Sequence, residues 1–134
     1  MNIPVLIAAC ISLIGLLAHL FVGTKETATL NPKEIDKETI NSDKRSINWK
    51  QAMCAFQLVT VDLLAVTVVL FIVSLTDIIP FEYEVTLFIA SLLLLWGFAW
   101  LVQLLVLKTK VKSYAALPQW AFFFSCSGLL FWGA

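Results

Sequence analysis

The sequence predicts an all-α integral membrane protein, a single domain of four transmembrane helices packed as a bundle. Hydrophobic residues make up 60% of its 134 residues and charged residues only 13%, with a mean hydropathy of +0.92. A water-soluble domain this short needs a larger polar share to cover its surface. In addition, four apolar stretches reach the roughly 20 residues that a helix needs to cross a bilayer. All nine acidic and nine basic residues except Asp62 fall outside these stretches or at their edges.

The predicted spans cover approximately residues 3–22, 51–76, 85–107 and 114–134. Backbone N–H and C=O groups in hydrocarbon must be satisfied within the segment, so each span is expected to be helical. The first stretch lacks the positively charged start of a secretory signal peptide, and we therefore expect it to be a membrane helix.

The charges in the links between the spans predict the orientation. Three acidic residues and no cation lie in 77–84, whereas three lysines and no acid lie in 108–113. The polar link of about 23–50 carries six cations mixed with acids. Because positive residues favour the cytoplasmic side, 23–50 is predicted to be cytoplasmic and both chain ends to lie outside the cytoplasm. Within this link, Asn31 and Pro32 are typical of a helix start, which predicts a short helix to about Ile40.

Each predicted span contributes one polar side chain at a similar depth, roughly 6–10 Å inside the cytoplasmic boundary at a rise of 1.5 Å per residue. These candidate binding residues are His19, Gln57, Gln103 and Gln119. Two interpretations are open. The layer provides hydrogen bonds between helices that set their packing, or it forms a pocket open to the cytoplasm for a small ligand, an ion or a lipid headgroup. In such a pocket His19 is the titratable member.

Asp62 is predicted to lie near the middle of the second span, about 18 Å along the helix from Lys50. It lies five positions after Gln57, so the two side chains point roughly 140° apart and are expected to belong to different sites. Ser12 and Ser125 fall at a similar depth and are candidate hydrogen-bond donors to Asp62. The carboxyl group is either bonded to such a serine or to another subunit, or it handles protons or cations as in a transporter.

The sequence predicts no catalytic residue, metal site or cofactor. It contains one histidine and three separated cysteines, without HExxH, CxxC or GxSxG spacing. A net charge of zero with no dense basic cluster gives no indication of a nucleic-acid partner.

The leading functional hypothesis is therefore a non-enzymatic structural or accessory subunit. Its expected partners are the lipid bilayer and either another protein or further copies of itself. The alternative is a small oligomeric transporter or channel for protons, cations or a small ligand, using Asp62 and the polar layer around His19.

Several short motifs carry a resemblance to a family. His19 is followed by Gly23 and Glu26 after the first span, residues 58–61 read Leu-Val-Thr-Val, and residues 117–120 read Leu-Pro-Gln-Trp. In these features and in the layout of its spans the chain resembles a group of small four-span bacterial inner-membrane proteins of unknown function. An aromatic–histidine pair precedes the Val-Thr stretch in that group, whereas Phe56-Gln57 stands there in this chain. The resemblance implies a four-span fold in a bacterial inner membrane, and it implies no activity.

Overall fold

The computed structural model describes residues 1–31 and 42–134, and every regular element in this part of the chain is a helix. In chain order the elements are α1 (Ile3–Leu17), a π-helix (Ala18–Gly23), α2 (Thr24–Thr29), α3 (Ser42–Leu75), α4 (Glu82–Val106), α5 (Val111–Ala116) and α6 (Gln119–Gly133). The short helix predicted to run to about Ile40 lies outside the described residues.

Three helical segments are long and apolar enough to cross a membrane, namely Ile3–Thr29, Lys44–Leu75 and Glu82–Val106. Only 28–33% of the most apolar stretch of each is buried inside the structure. Most of their apolar surface therefore faces outward, which is costly in water and favourable in lipid. The prediction of an all-helical chain with long apolar helices is thus confirmed.

The predicted fourth apolar segment is divided into two helices at Leu117 and Pro118. Leu117 has φ −120° and ψ 67°, outside the helical region. A residue before proline is disfavoured in the α region because the proline ring clashes with it, so α5 ends there and α6 begins at Gln119. With 15 residues, α6 is roughly 22 Å long.

The last turn of α4 ends in a Schellman motif. The N–H of Thr109 donates to the carbonyl of Leu104 and the N–H of Lys108 to that of Leu105, at 3.2 and 3.0 Å. Lys108 occupies the left-handed position with φ 50°. These bonds satisfy carbonyls that the end of a helix otherwise leaves without partners.

Residues 1–12 and 66–134 form one compact unit, in which the start of α1, the end of α3, α4 and α6 share a core. Small residues at the core allow close helix approach, and hydroxyl groups add hydrogen bonds. Ser12 Oγ and Thr67 Oγ1 lie 2.8 Å apart, and Ser127 donates to the Ala90 carbonyl at 2.8 Å. The buried core residues are Val5, Ala8, Ala9, Val66, Leu70, Val73, Ile89, Ala90, Leu93, Phe123, Cys126 and Leu130.

Residues 13–65 form a second compact unit, in which the first helical segment packs on the first part of α3. The buried and half-buried positions of α3 in this unit follow a single seam with alternating spacings of three and four residues. They are Ser46, Trp49, Met53, Phe56, Thr60 and Leu63, with Gln57 beside them. Such spacing is typical of two helices that contact each other along one narrow line.

Candidate functional site

The π-helix places His19 against α3. In this turn the backbone N–H of Thr24 donates to the carbonyl of His19, five residues earlier, instead of four. The Thr24 hydroxyl lies 3.4 Å from the same carbonyl and donates to it as well. The insertion of one residue changes the direction in which nearby side chains project, and π-helical turns occur frequently at functional sites.

The imidazole of His19 is held by one residue of α3. Its ring is stacked on the ring of Phe56, with centroids 3.8 Å apart and planes 13° apart. His19 Nε2 also lies 3.1 Å from the Phe56 carbonyl oxygen. A carbonyl oxygen only accepts hydrogen bonds, so Nε2 carries the proton and Nδ1 holds the lone pair in the neutral ring.

A row of polar side chains continues from His19 along the seam. Gln57 Nε2 donates to Thr24 Oγ1 at 3.3 Å, and Thr24 in turn donates to the His19 carbonyl. On the other side, the Thr60 hydroxyl lies 3.4 Å from both Gln57 Oε1 and the Phe56 carbonyl and can donate its single proton to either. The structure therefore brings two predicted site residues, His19 and Gln57, into one cluster with Thr24 and Thr60.

Gly23 lies where the Phe56 ring passes close to the backbone. A Cβ atom built on Gly23 would lie 2.8 Å from Phe56 Cζ, too close for a carbon–carbon contact. The absence of a side chain at Gly23 is therefore what leaves room for the ring that stacks on His19.

The other two predicted polar-layer residues lie in the unit of residues 1–12 and 66–134. Gln103 is exposed on α4. Gln119 is the first residue of α6 and half-buried, and its Oε1 atom is fully buried without a hydrogen-bond partner in the described structure. Trp100 Nε1, on α4, is likewise buried and has no hydrogen-bond partner in the described structure.

Asp62 is exposed on the outer surface of α3. Its closest charged neighbours in sequence, Lys50 and Asp77, are 12 and 15 residues away, or roughly 18 and 22 Å along a helix. Within the described part of the chain no hydrogen bond or ion pair is made by its carboxylate. Of the serines at similar depth, Ser12 is bonded to Thr67, and Ser125 is exposed on α6.

The cluster around His19 contains one titratable ring, one amide and two hydroxyls. These groups exchange hydrogen bonds with one another and with the backbone, and the described residues include no group of three His, Cys, Asp or Glu side chains that could hold a metal ion. The cluster can bind a polar group through Nδ1 of His19, but it contains no nucleophile paired with a base.

Sequence reasoning did not identify Phe56, Thr24 or Trp100 as neighbours of the candidate residues. Threonine and aromatic side chains are common in membrane helices, and nothing in their spacing distinguishes these three. The signal that was available for Thr24 is its position five residues after His19, which becomes meaningful only once the π-helical turn is known.

Comparison with known protein families, with curated proteins and with solved structures gives no match to this chain.

Proposed function

We propose that the chain crosses a bacterial inner membrane four times and acts as a non-enzymatic accessory subunit, bound to a partner polypeptide through the face of α3 that carries Asp62. The observation that carries this proposal is the exposed carboxylate of Asp62 in the middle of an apolar helix.

The fourth span in this proposal is α6. It is shorter than the segments Ile3–Thr29, Lys44–Leu75 and Glu82–Val106. Its residues Phe123, Cys126 and Leu130 are nevertheless buried in the core that includes residues of α1, α3 and α4. Burial in this shared core supports a position of α6 at the same membrane depth as the other helices. A short hydrophobic span is accommodated by local thinning of the bilayer and by flanking residues, at modest cost.

The distribution of charge supports an orientation with residues 23–50 and the link of Lys108, Lys110 and Lys112 in the cytoplasm. This can be tested by cysteine labelling in spheroplasts, in a background in which the three native cysteines are replaced by alanine. Ile78→Cys and Val111→Cys place a thiol at exposed positions, 77% and 87% exposed, in the acidic and the basic link. A membrane-impermeant maleimide should label position 78 in intact spheroplasts and position 111 only after lysis. Labelling of both positions from one side would exclude four spans with this orientation.

The face of α3 around Asp62 differs from the rest of the helix surface. At roughly 100° per residue, Asp62 lies about 150° round the helix from the centre of the buried seam. Ala55, Leu58 and Ala65 lie on the same side, seven and four residues before it and three after it, and all are exposed. Interfaces between membrane helices are enriched in small residues, which let backbones approach closely.

An aspartate exposed to lipid at mid-membrane costs roughly 2.5–3.5 kcal/mol on insertion scales. A partner helix that supplies a hydrogen-bond donor or a cationic side chain removes most of this cost. The combination of a carboxylate with alanines on the same side therefore supports a protein neighbour at this face rather than lipid alone.

Site-specific photocrosslinking tests the interface. Ala65 and Leu64 are consecutive exposed residues at the same depth, but their side chains point about 100° apart, with Ala65 nearer to Asp62. A benzophenone amino acid at position 65 should crosslink to a defined polypeptide, identified by mass spectrometry, and the same group at position 64 should react with lipid. The crosslink should be lost when Asp62→Leu is added and retained with the isosteric Asp62→Asn, which still forms hydrogen bonds. Lipid adducts alone from both positions would overturn the proposal.

The alternative function is a small oligomeric transporter or channel, favoured by the same carboxylate. Because Asp62 points outward, its pathway would run between subunits and not through one chain. The purified protein in liposomes would then carry protons or cations, and Asp62→Asn would abolish the flux while the protein still folds. This outcome separates the two functions, because an accessory subunit alone produces no flux.

A further inference from the structure

Two buried polar atoms lack hydrogen-bond partners in the part of the chain that the structure describes, and they are chemically complementary. Trp100 Nε1 is a donor only, and Gln119 Oε1 is an acceptor only. A buried polar group left unsatisfied is unfavourable, because it has lost its hydrogen bonds to water without replacing them. The indole N–H of the neighbouring Trp120, in contrast, is hydrogen-bonded, because it donates to the Tyr114 carbonyl at 3.0 Å.

The packing of α4 on α6 indicates that the residues carrying these atoms, Trp100 and Gln119, face each other. The rings of Trp96 and Phe123 meet edge to face, with centroids 5.6 Å apart. Trp100 follows Trp96 by four residues, and Gln119 precedes Phe123 by four. The two helices run antiparallel, since Ala90 bonds to Ser127 while the later Trp96 contacts the earlier Phe123. Residues four apart lie on one face of a helix, so Trp100 and Gln119 occupy the next turn of the same contact.

From this arrangement we propose that a hydroxyl group binds between Trp100 and Gln119. Its oxygen accepts the indole N–H of Trp100, and its proton is donated to Oε1 of Gln119. A hydroxyl satisfies both atoms at once, whereas an ester carbonyl or a phosphate oxygen only accepts and leaves Gln119 unsatisfied. The hydroxyl comes either from an ordered water molecule or from a lipid with a free alcohol, such as a diacylglycerol.

The indole N–H resonance of Trp100 provides a direct measurement. The full chain, labelled at the indole nitrogens and purified in detergent micelles, gives one resonance for each of its five tryptophans, and Trp100→Phe assigns the relevant one. In Gln119→Met, which keeps the side-chain length but removes the amide, the Trp100 proton should shift upfield and exchange faster with solvent. Trp49 serves as the internal control, because its N–H donates to the Thr27 carbonyl at 3.2 Å and should not change.

The source of the hydroxyl is distinguished by removing lipid. If it is water, the Trp100 proton shows magnetisation transfer from water and its resonance is unchanged after exhaustive detergent exchange. If it is a lipid alcohol, the resonance moves after detergent exchange and returns when dioleoylglycerol is added, but not with dioleoylphosphatidylcholine, which lacks a free hydroxyl. Either result supports the proposal. A Trp100 resonance unaffected by both Gln119→Met and lipid removal would overturn it, and this result has no bearing on the partner interface at Asp62.

Discussion

The imidazole of His19 lies nearly parallel to the ring of Phe56, 3.8 Å away, and is hydrogen-bonded to the carbonyl of the same residue. One residue of α3 thus fixes both the plane of the histidine and the nitrogen that carries its proton. Because the aromatic contact and the hydrogen bond involve the same imidazole ring, His19 holds the π-helical turn against α3 in one orientation.

Phe56→Leu should destabilise the unit of residues 13–65. Leucine removes the stacked ring while the backbone carbonyl remains, and aromatic pairs contribute about 0.5–1.5 kcal/mol beyond their contact area. We expect a lower midpoint of thermal unfolding in detergent, followed by circular dichroism. Phe21→Leu is the matched control, because Phe21 lies in the same π-helix but is 60% exposed. Equal effects of the two substitutions would show that the stack contributes nothing specific.

The long helices could be predicted from the sequence because their physical cause is local. A stretch of twenty or more uncharged apolar residues has few alternatives to a helix in a membrane. The boundaries of α4, Glu82–Val106, accordingly lie within three residues of the predicted span 85–107. Which face of each helix is buried could not be predicted in this way. In a water-soluble helix the exposed side is polar and the buried side apolar, but Leu58 and Val61 are exposed and apolar, while Thr60 is half-buried and polar.

Only part of the candidate site could be predicted from the sequence. The depth of a residue in the membrane follows from its position along the span, and two of the residues chosen for their depth, His19 and Gln57, lie in one cluster in the structure. The direction of each side chain depends on the π-helical turn, for which the sequence offers no signal. The break before α6 depends on Pro118, whose effect on Leu117 could have been recognised from the sequence alone.

Lys108→Gly should stabilise the end of α4. Lys108 has φ 50°, a conformation that costs an L-residue roughly 1 kcal/mol and that glycine adopts freely. The Schellman hydrogen bonds involve only backbone atoms and are retained. We expect a rise of about 0.5–1 kcal/mol in the free energy of unfolding, measured by denaturant titration.

Lys110 provides the control for this substitution. It lies two residues further in the same link, but its φ is −66°, which any L-residue accepts. Lys110→Gly should therefore have no stabilising effect and should slightly destabilise the protein, because glycine increases the entropy of the unfolded chain. Stabilisation by both substitutions would indicate a charge effect and not the backbone conformation.

Gly97→Ala should destabilise the contact between α4 and α6. A Cβ atom at Gly97 would lie 2.7 Å from Cε1 and 2.9 Å from Cδ1 of Phe124, so the ring must move. That ring packs edge to face against Phe98 and Trp120 and cannot shift without disturbing them. Overpacking of this kind costs roughly 1–3 kcal/mol.

Gly128→Ala is the matched control on α6, since no atom lies within 4 Å of a Cβ added there. Its effect on stability should be neutral or favourable, by up to about 1 kcal/mol from helix propensity. Thermal unfolding of both variants in the same detergent provides the comparison. If alanine at position 97 were tolerated as well as at position 128, the close approach at Gly97 would not exist in solution.

Ser12 and Thr67 should be energetically coupled. Their hydroxyl oxygens lie 2.8 Å apart and both side chains are buried, in the core shared by α1 and α3. Ser12→Ala and Thr67→Val each remove the bond, so the second substitution should cost less once the first is present. Side-chain hydrogen bonds in membrane proteins average about 0.6 kcal/mol and reach about 1.7, which sets the expected coupling energy in a double-mutant cycle of unfolding.

Ser127→Ala combined with Thr67→Val is the control and should be additive, because Ser127 donates to the Ala90 carbonyl instead. A coupling of zero for Ser12 and Thr67 would mean that the two hydroxyls are not bonded to each other.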